Sequence, residues 1–97
     1  MTGPRFARNP IFVHRHVGNG EVLVPVRRDL GEASPVHVLS ESGSLIWELL
    51  DHPKTAGQLT DAMAWEFEIE LDAAATRVAA FLDELRTLRA VTEEVRA

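Results

Sequence analysis

Four histidines are the residues of this sequence most able to do chemistry. His14 and His16 stand two apart, and on a strand that spacing places both imidazoles on one face, where they could hold a metal ion. No third ligand stands beside them in the sequence. His37 and His52 have no nucleophile or carboxylate placed by the sequence to make either one a catalytic base. We therefore predict a polar strand face at His14 and His16, with no metal site and no catalytic residues.

A run of carboxylates is the second candidate for chemistry. Glu66, Glu68, Glu70 and Asp72 are close enough in sequence to suggest acid–base catalysis or calcium binding. The calcium-loop pattern of oxygen ligands around a glycine is missing. A solvated helix end, with acidic residues beside the positive end of the next helix dipole, accounts for these residues. We expect them to lie in solvent.

Composition narrows the possible functions further. The chain has 97 residues and no cysteine, which excludes disulfides, thiolate-bound zinc, iron–sulfur clusters and a thiol nucleophile. Gly18 and Gly20 flank a turn between strands, so they do not form a phosphate-binding loop at the start of a helix. A chain of this length leaves no room for a large enclosed active site. We predict a protein that is not an enzyme and has no cofactor.

The net charge of −5 is divided unevenly along the chain. Residues 1–30 carry a net charge of +3, and residues 31–97 carry −8. A protein that reads nucleic acid needs several cations for the phosphates, so this balance argues against a nucleic-acid partner. No apolar run is long enough for a signal peptide or for the ~18 residues of a membrane helix. We predict cytoplasmic localisation and no membrane partner.

The elements that must position these residues begin with strands. Alternating β-branched and aromatic residues predict strands at 11–17 and 21–26, and the turn at 18–20 has Gly and Asn, which accept positive φ. A polar segment with Gly and Pro at 27–35 predicts a loop. A short third strand follows at 36–39. We expect these strands to form one three-stranded antiparallel sheet.

Helical spacing replaces this alternation after residue 40. Ser42 is the predicted N-cap of the first helix, the pair Thr55 and Gln58 forms a capping box for the second, and Asp72 is the predicted N-cap of the third. Trp47 is expected in the core and Trp65 partly exposed. The apolar stripes of the three helices are Leu45, Ile46, Leu49 and Leu50; Leu59, Ala62, Met63 and Phe67; and Val78, Phe81, Leu82, Leu85 and Leu88.

These elements predict one α+β domain over 1–97, with a core at about 10–92. Its architecture is winged-helix-like, a three-stranded antiparallel sheet followed by three helices, with a short extended tail at 90–92. A winged helix raises the alternative of a DNA-binding regulator, or of a dimerising adaptor built on the same fold. The third helix, taken as residues 72–89, has a net charge of zero, which disfavours DNA reading. A winged-helix fold does not by itself imply DNA binding.

The segment 36–51 and the segments around it resemble the PqqD family, named for a pyrroloquinoline quinone (PQQ) biosynthesis protein. The family pattern has an extended segment, a small-residue helix start and Ile-Trp-Glu-Leu-Leu-Asp, which stands here at 46–51. A second helix beginning at Thr55 and a Val-x-x-Phe-Leu-x-x-Leu motif at 78–85 follow in the family order. Gly-Glu-Val-Leu-Val-Pro at 20–25 resembles the family's second strand. The resemblance covers about residues 10–92.

Four positions depart from the family pattern. Ser40 stands for the usual Asn, His52 for Gly, and Ala90 for a Gly that is common before the last strand. The first two are cap or turn positions where Ser and His substitute at modest cost. Arg77 replaces a frequent Asp, and it changes the charge of a helix face that could contact a ligand.

The resemblance implies a non-catalytic peptide chaperone, a recognition element for ribosomally made and post-translationally modified peptides. Such a domain binds the leader segment of a precursor peptide and presents the precursor to a modifying enzyme, a radical SAM protein in the namesake pathway. In the family the leader adds as a strand beside the third strand and packs on the third helix. Strand addition uses the free backbone groups of a sheet edge. The predicted peptide-binding residues are Val36, His37, Val38, Leu39, Arg77, Val78, Phe81, Glu84 and Leu85.

Two further outcomes stay open from the sequence. The apolar members of that set could serve only the core, because the third helix must bury one face on the sheet in any case. An exposed strand edge also allows a homodimer, formed by strand pairing or by segment exchange.

Overall fold

A computed structural model describes residues 3–18, 20–25 and 37–94 of the chain. The order of elements confirms the α+β class and the succession of sheet and helices. A second small sheet, which the sequence did not predict, is also present. The elements are β1 Arg5–Arg8, β2 Phe12–Val17, β3 Gly20–Pro25, β4 His37–Leu39, α1 Glu41–Leu49, β5 Lys54–Thr55, α2 Ala56–Phe67, α3 Leu71–Leu88 and β6 Val91–Glu94.

The predicted three-stranded sheet has the order β2-β3-β4, and both of its pairings are antiparallel. Gly18 adopts a φ of 59° at the turn between β2 and β3, a left-handed conformation that a residue without a Cβ reaches at no steric cost. β3 is the central strand, and Val22 stands opposite Val38 of β4. Asn19, Val26, the predicted loop at 27–35 and Val36 lie outside the described residues.

The second sheet has the order β5-β1-β6 and ties the N-terminal segment to the end of the chain. Phe6 of β1 pairs with Lys54 and with Glu93, and its ring is buried. The extended tail predicted at 90–92 is confirmed as part of β6. β1 lies upstream of residue 10 and still contributes to the core, because its only apolar ring faces inward between two flanking strands.

Helix boundaries follow the capping geometry, and two predicted caps are wrong. Ser40, and not Ser42, caps α1: its backbone is extended, and its Oγ accepts a hydrogen bond from the Gly43 N–H at 3.1 Å. Ser42 already lies within the first turn. Glu70 precedes α3 in extended conformation, and Asp72 lies in the first helical turn, where its charge favours the positive helix end.

The capping box of α2 is confirmed on both sides. The Thr55 hydroxyl oxygen accepts from the Gln58 N–H at 3.1 Å, and the Gln58 side-chain oxygen accepts from the Thr55 N–H at 2.9 Å. α2 ends at Phe67, and its C-cap, Glu68, adopts a left-handed conformation. The sharp turn there allows α3 to fold back against α2.

The core lies where the three helices meet the two sheets. The largest side chain in it is Trp47, which is 1% exposed as expected. Arg8 of β1 lies over the Trp47 ring at 5.0 Å and donates hydrogen bonds to the Trp47 carbonyl oxygen. Burying each large apolar side chain contributes about 1.5–3 kcal/mol. The buried members are Phe6, Leu23, Leu39, Ile46, Trp47, Leu50, Leu59, Met63, Ala74, Val78, Phe81, Leu82, Leu85, Ala90 and Val91.

α3 buries one stripe in this core and leaves the opposite stripe accessible. Ala74, Val78, Leu82 and Leu85 recur at three- and four-residue spacing and fix the rotation of the helix about its axis. That rotation leaves Arg77, Ala80 and Glu84 on the accessible side. No helix in the described part of the chain is long and apolar enough to cross a lipid bilayer.

Candidate functional site

The open edge of β4 is the first part of the candidate site. β4 pairs with β3 on one side, and no described strand pairs with it on the other. Backbone N–H and C=O groups along such an edge point outward and are free to pair with another extended chain. Three residues, 37–39, form this edge.

The side chains of β4 alternate between the two faces of the sheet, as a strand requires. Leu39 is buried in the core, and the His37 imidazole lies toward α3, with its Nε2 3.4 Å from Oε1 of Glu84. Val38 points the other way and is 71% exposed. The contact between His37 and Glu84 therefore links the strand edge to α3.

A cleft of about 300 Å³ lies between the end of β4 and the accessible face of α3. Four residues of α3 line it because three- and four-residue steps place them on one side of the helix. The short Ser40 to Ser42 segment closes the end of the cleft. The lining residues are His37, Val38, Ser40, Ser42, Arg77, Ala80, Phe81 and Glu84.

A second hollow of about 350 Å³ continues along α3 toward its C-terminal end. His37 and Glu84 line both hollows, so the pair stands between them. The other residues of the second hollow are Asp83, Thr87 and Leu88. We call the two hollows together the β4–α3 groove. It follows residues 77–88 of α3, which is about 16 Å at 1.5 Å per residue.

The charges of the groove are separated along its length. Arg77 lies at one end, and none of the described carboxylates lies within 4 Å of its guanidinium. Glu84 lies between the two hollows, beside Asp83, which pairs with Arg86 at 2.8 Å. That hydrogen bond raises the pKa of Arg86 above its ordinary value, and Glu93 at 2.9 Å adds to the effect. Arg86 thus pairs with Asp83, whereas Glu84 contacts the His37 imidazole.

The structure brings five of the predicted peptide-binding residues together in this groove: His37, Val38, Arg77, Phe81 and Glu84. It places Leu39, Val78 and Leu85 in the core, beneath the groove. Their side chains are buried and do not line either hollow. Val36 lies outside the described residues.

Sequence reasoning did not identify several residues that line the groove. The sequence assigns Ser40 and Ser42 to the start of α1, and in the structure both also line the cleft. Ala80 stands three residues after Arg77 and four before Glu84, and this helical spacing was the signal that could have identified it. Thr87 lies three residues beyond Glu84 on the same face.

The histidines predicted to have no catalytic role are distributed over separate elements. His14 and His16 both lie on β2 near Glu21 of β3, while His52 contacts the neighbouring Asp51 at 3.2 Å. The described residues contain no group of three or more His, Cys, Asp or Glu that could hold a metal ion. The His52 hydrogen bond lowers the pKa of Asp51 below its ordinary value.

The exposed aromatic residue of the fold is Trp65, which is 84% exposed on α2. It stands two residues from the buried Met63, which places it on nearly the opposite side of the helix. The neighbouring carboxylates Glu66, Glu68, Glu70 and Asp72 are exposed, as expected.

Comparison with known proteins identifies the family of this chain. The sequence model of the family described as coenzyme PQQ synthesis protein D (PqqD) matches residues 22–91. The match extends from β3 to the first residue of β6, so it includes β4, α3 and the whole groove. No curated protein and no solved structure matches the chain. The family match spans well over half of the sequence, and the chain therefore belongs to the PqqD family.

Proposed function

We propose that this protein is a peptide chaperone that binds the leader segment of a ribosomally made precursor peptide and presents the precursor to a modifying enzyme such as a radical SAM protein. The leader would add as a strand to the edge of β4 and lay its side chains in the β4–α3 groove. The observation that carries the proposal is the continuity between an open strand edge and an accessible helix face. Membership of a family of PQQ-synthesis accessory proteins supports it.

Strand addition suits this site for a physical reason. Backbone hydrogen bonds at the edge supply affinity that depends little on the peptide sequence, while side chains on one face of the added strand supply selectivity. β4 offers both, since its outer edge is unpaired among the described strands and its inner face adjoins α3. The protein then needs no catalytic residue of its own, because the chemistry takes place on the partner enzyme.

Backbone pairing has a signature that side-chain contacts lack. Alternate N–H groups of the added strand point toward β4 and the others point away. N-methylation of the leader at successive positions should therefore weaken binding at every second residue only. Isothermal titration calorimetry compares the affinity of each methylated leader with that of the unmethylated leader, which a neighbouring precursor gene encodes. A uniform or aperiodic loss of affinity would contradict strand addition.

Amide NMR shifts in a separate titration with the unmethylated leader test the location of the peptide. We expect the largest changes at 37–42 and 77–88, and shifts confined to other regions would place the peptide elsewhere. Val38→Pro removes one backbone donor from β4, and Val38→Thr is the matched control because it keeps the donor and the branched shape. A folded Val38→Pro protein with unchanged affinity would argue against pairing through that donor.

A DNA-binding role finds no comparable support on the described surface. The accessible face of α3 presents Arg77 together with Asp83 and Glu84, so both signs of charge would meet the phosphates. The peptide-binding proposal uses these same opposite charges.

A further inference from the structure

We infer that the β4–α3 groove selects the direction and charge order of its peptide: an acidic residue, then an apolar residue two positions later, then a basic residue two positions after that, read from N- to C-terminus. This inference rests on the proposed function, since it concerns a strand added to β4. The main evidence is that Arg77 and Glu84 are separated along one face of α3, on either side of the Phe81 ring.

The direction of the groove follows from what lines its two hollows. Ser40 and Ser42, which follow β4, line the hollow that contains Arg77. The N-terminal residue of β4, His37, adjoins the hollow formed by Thr87 and Leu88. β4 and α3 therefore run in opposite directions along the groove. A peptide antiparallel to β4 runs the same way as α3, and it passes Arg77 first.

Antiparallel addition is the arrangement that this sheet already uses. Both pairings of the β2-β3-β4 sheet are antiparallel, and antiparallel ladders are slightly more stable per residue than parallel ones. A third antiparallel pairing on β4 would continue the same pattern. A reversed charge order in the bound peptide would indicate the parallel alternative.

The spacing of the motif follows from helix and strand geometry. Phe81 is four residues beyond Arg77, about 6 Å along α3, and residues i and i+2 of a strand are about 6.6 Å apart on one face. Glu84 is seven residues beyond Arg77, about 10 Å, against about 13 Å for strand residues i and i+4. A lysine or arginine side chain spans the remaining 3 Å.

The charges on either side of Phe81 match this order. Arg77 is exposed and has no carboxylate within 4 Å among the described residues, so an acidic peptide residue there gains a partner. Glu84 has a side chain that is 56% exposed, and its described contact is the His37 imidazole. The Phe81 ring is 8% exposed at the floor of the groove and offers an apolar surface between the two charges.

The probes are two blocked nine-residue synthetic peptides of identical composition. One has Glu, Leu and Lys at positions three, five and seven among Thr and Ser residues, and the other exchanges the Glu and the Lys. NMR titration of the full chain at low salt measures both affinities. Exposed charge pairs contribute modestly, so with two pairs we expect the first peptide to bind about fivefold more tightly.

Charge reversal in the protein gives the decisive comparison. The double variant Arg77→Glu with Glu84→Lys should prefer the exchanged peptide by a similar factor. The matched control is Glu66→Lys, a charge reversal at an exposed position of α2. It should leave the ratio of the affinities for the two peptides unaltered.

The outcomes separate the inference from the function on which it rests. If both peptides shift groove resonances with equal affinity, the charge order is wrong and strand addition stands. A preference for the exchanged peptide by the unaltered protein also overturns the inferred direction. If neither peptide shifts any resonance of 37–42 or 77–88 at millimolar concentration, the proposed function fails and the inference fails with it.

Discussion

Replacing Gly43 by alanine tests how closely α1 and α3 must approach to form the floor of the groove. A Cβ built at Gly43 would lie 2.8 Å from Cε1 and 3.1 Å from Cζ of Phe81. Real Cβ atoms essentially never lie closer than 3.0 Å to a neighbouring heavy atom. The Phe81 ring must therefore move, and the accessible direction is into the groove that it lines.

The expected magnitude is the sum of two opposed effects. Alanine in place of glycine stabilises a helix by up to about 1 kcal/mol. Overpacking a well-filled contact costs about 1–3 kcal/mol. We expect Gly43→Ala to lower the free energy of unfolding by about 1 kcal/mol, which corresponds to a fall of about 4–8 °C in Tm for a domain of this size.

Gly57→Ala is a matched control in the first turn of α2. The nearest atom to a Cβ there is Oγ1 of Thr55, at 3.8 Å, which is ordinary van der Waals contact. The same chemical change should therefore raise the free energy of unfolding by up to about 1 kcal/mol. Urea unfolding followed by the fluorescence of buried Trp47 measures both variants.

A double-mutant cycle assigns the loss to the Phe81 contact. Shortening the ring by Phe81→Leu should relieve the clash, so Gly43→Ala should cost less in that background than in the unaltered protein. Equal stability of Gly43→Ala and Gly57→Ala, or an unchanged cost after Phe81→Leu, would refute the argument from close packing.

Three further outcomes follow from contacts elsewhere in the fold. Arg8→Ala should lower the free energy of unfolding by about 2 kcal/mol, because it removes charged hydrogen bonds to Trp47; urea titration checks it, and full recovery by lysine would contradict the guanidinium's role. Trp65→Ala should change that free energy by less than about 0.5 kcal/mol, since the ring is exposed; a larger loss would show that it packs. The His52 contact lowers the folded-state pKa of Asp51, so the stabilisation from this contact is present above the unfolded-state pKa and disappears as the pH falls through the folded-state pKa. Asp51→Asn should therefore reduce the pH dependence of the free energy of unfolding in urea between about pH 5 and 2, and an unchanged pH profile would contradict this.

Local patterns in the sequence identify most of the helices and the main sheet. The capping box at Thr55 and the helical stripe from Val78 to Leu88 depend on neighbours within a few residues, and both are present in the structure. The starts of α1 and α3 were displaced by two residues because Ser40 and Ser42, like Glu70 and Asp72, are both able to stand at a helix end. Only the backbone conformation distinguishes them.

Long-range pairings are not contained in such patterns. β1, β5 and β6 are two to four residues long, and β1 pairs with segments about 50 and 85 positions away. Four residues of β1 carry no periodicity that predicts a strand. Phe6 and Arg8 anchor the pairing, because the Phe6 ring is buried in the core and Arg8 contacts Trp47.

The sequence by itself determined which residue types this protein has, including the absence of cysteine, and a motif order shared with the PqqD family. Only the tertiary structure decided which of those residues share a surface. It placed Val78 and Leu85 in the core and brought His37 to within 3.4 Å of Glu84, 47 positions along the chain. The reason is that burial of one stripe of α3 fixes the rotation of the helix, and the same rotation leaves Arg77, Ala80 and Glu84 facing the edge of β4.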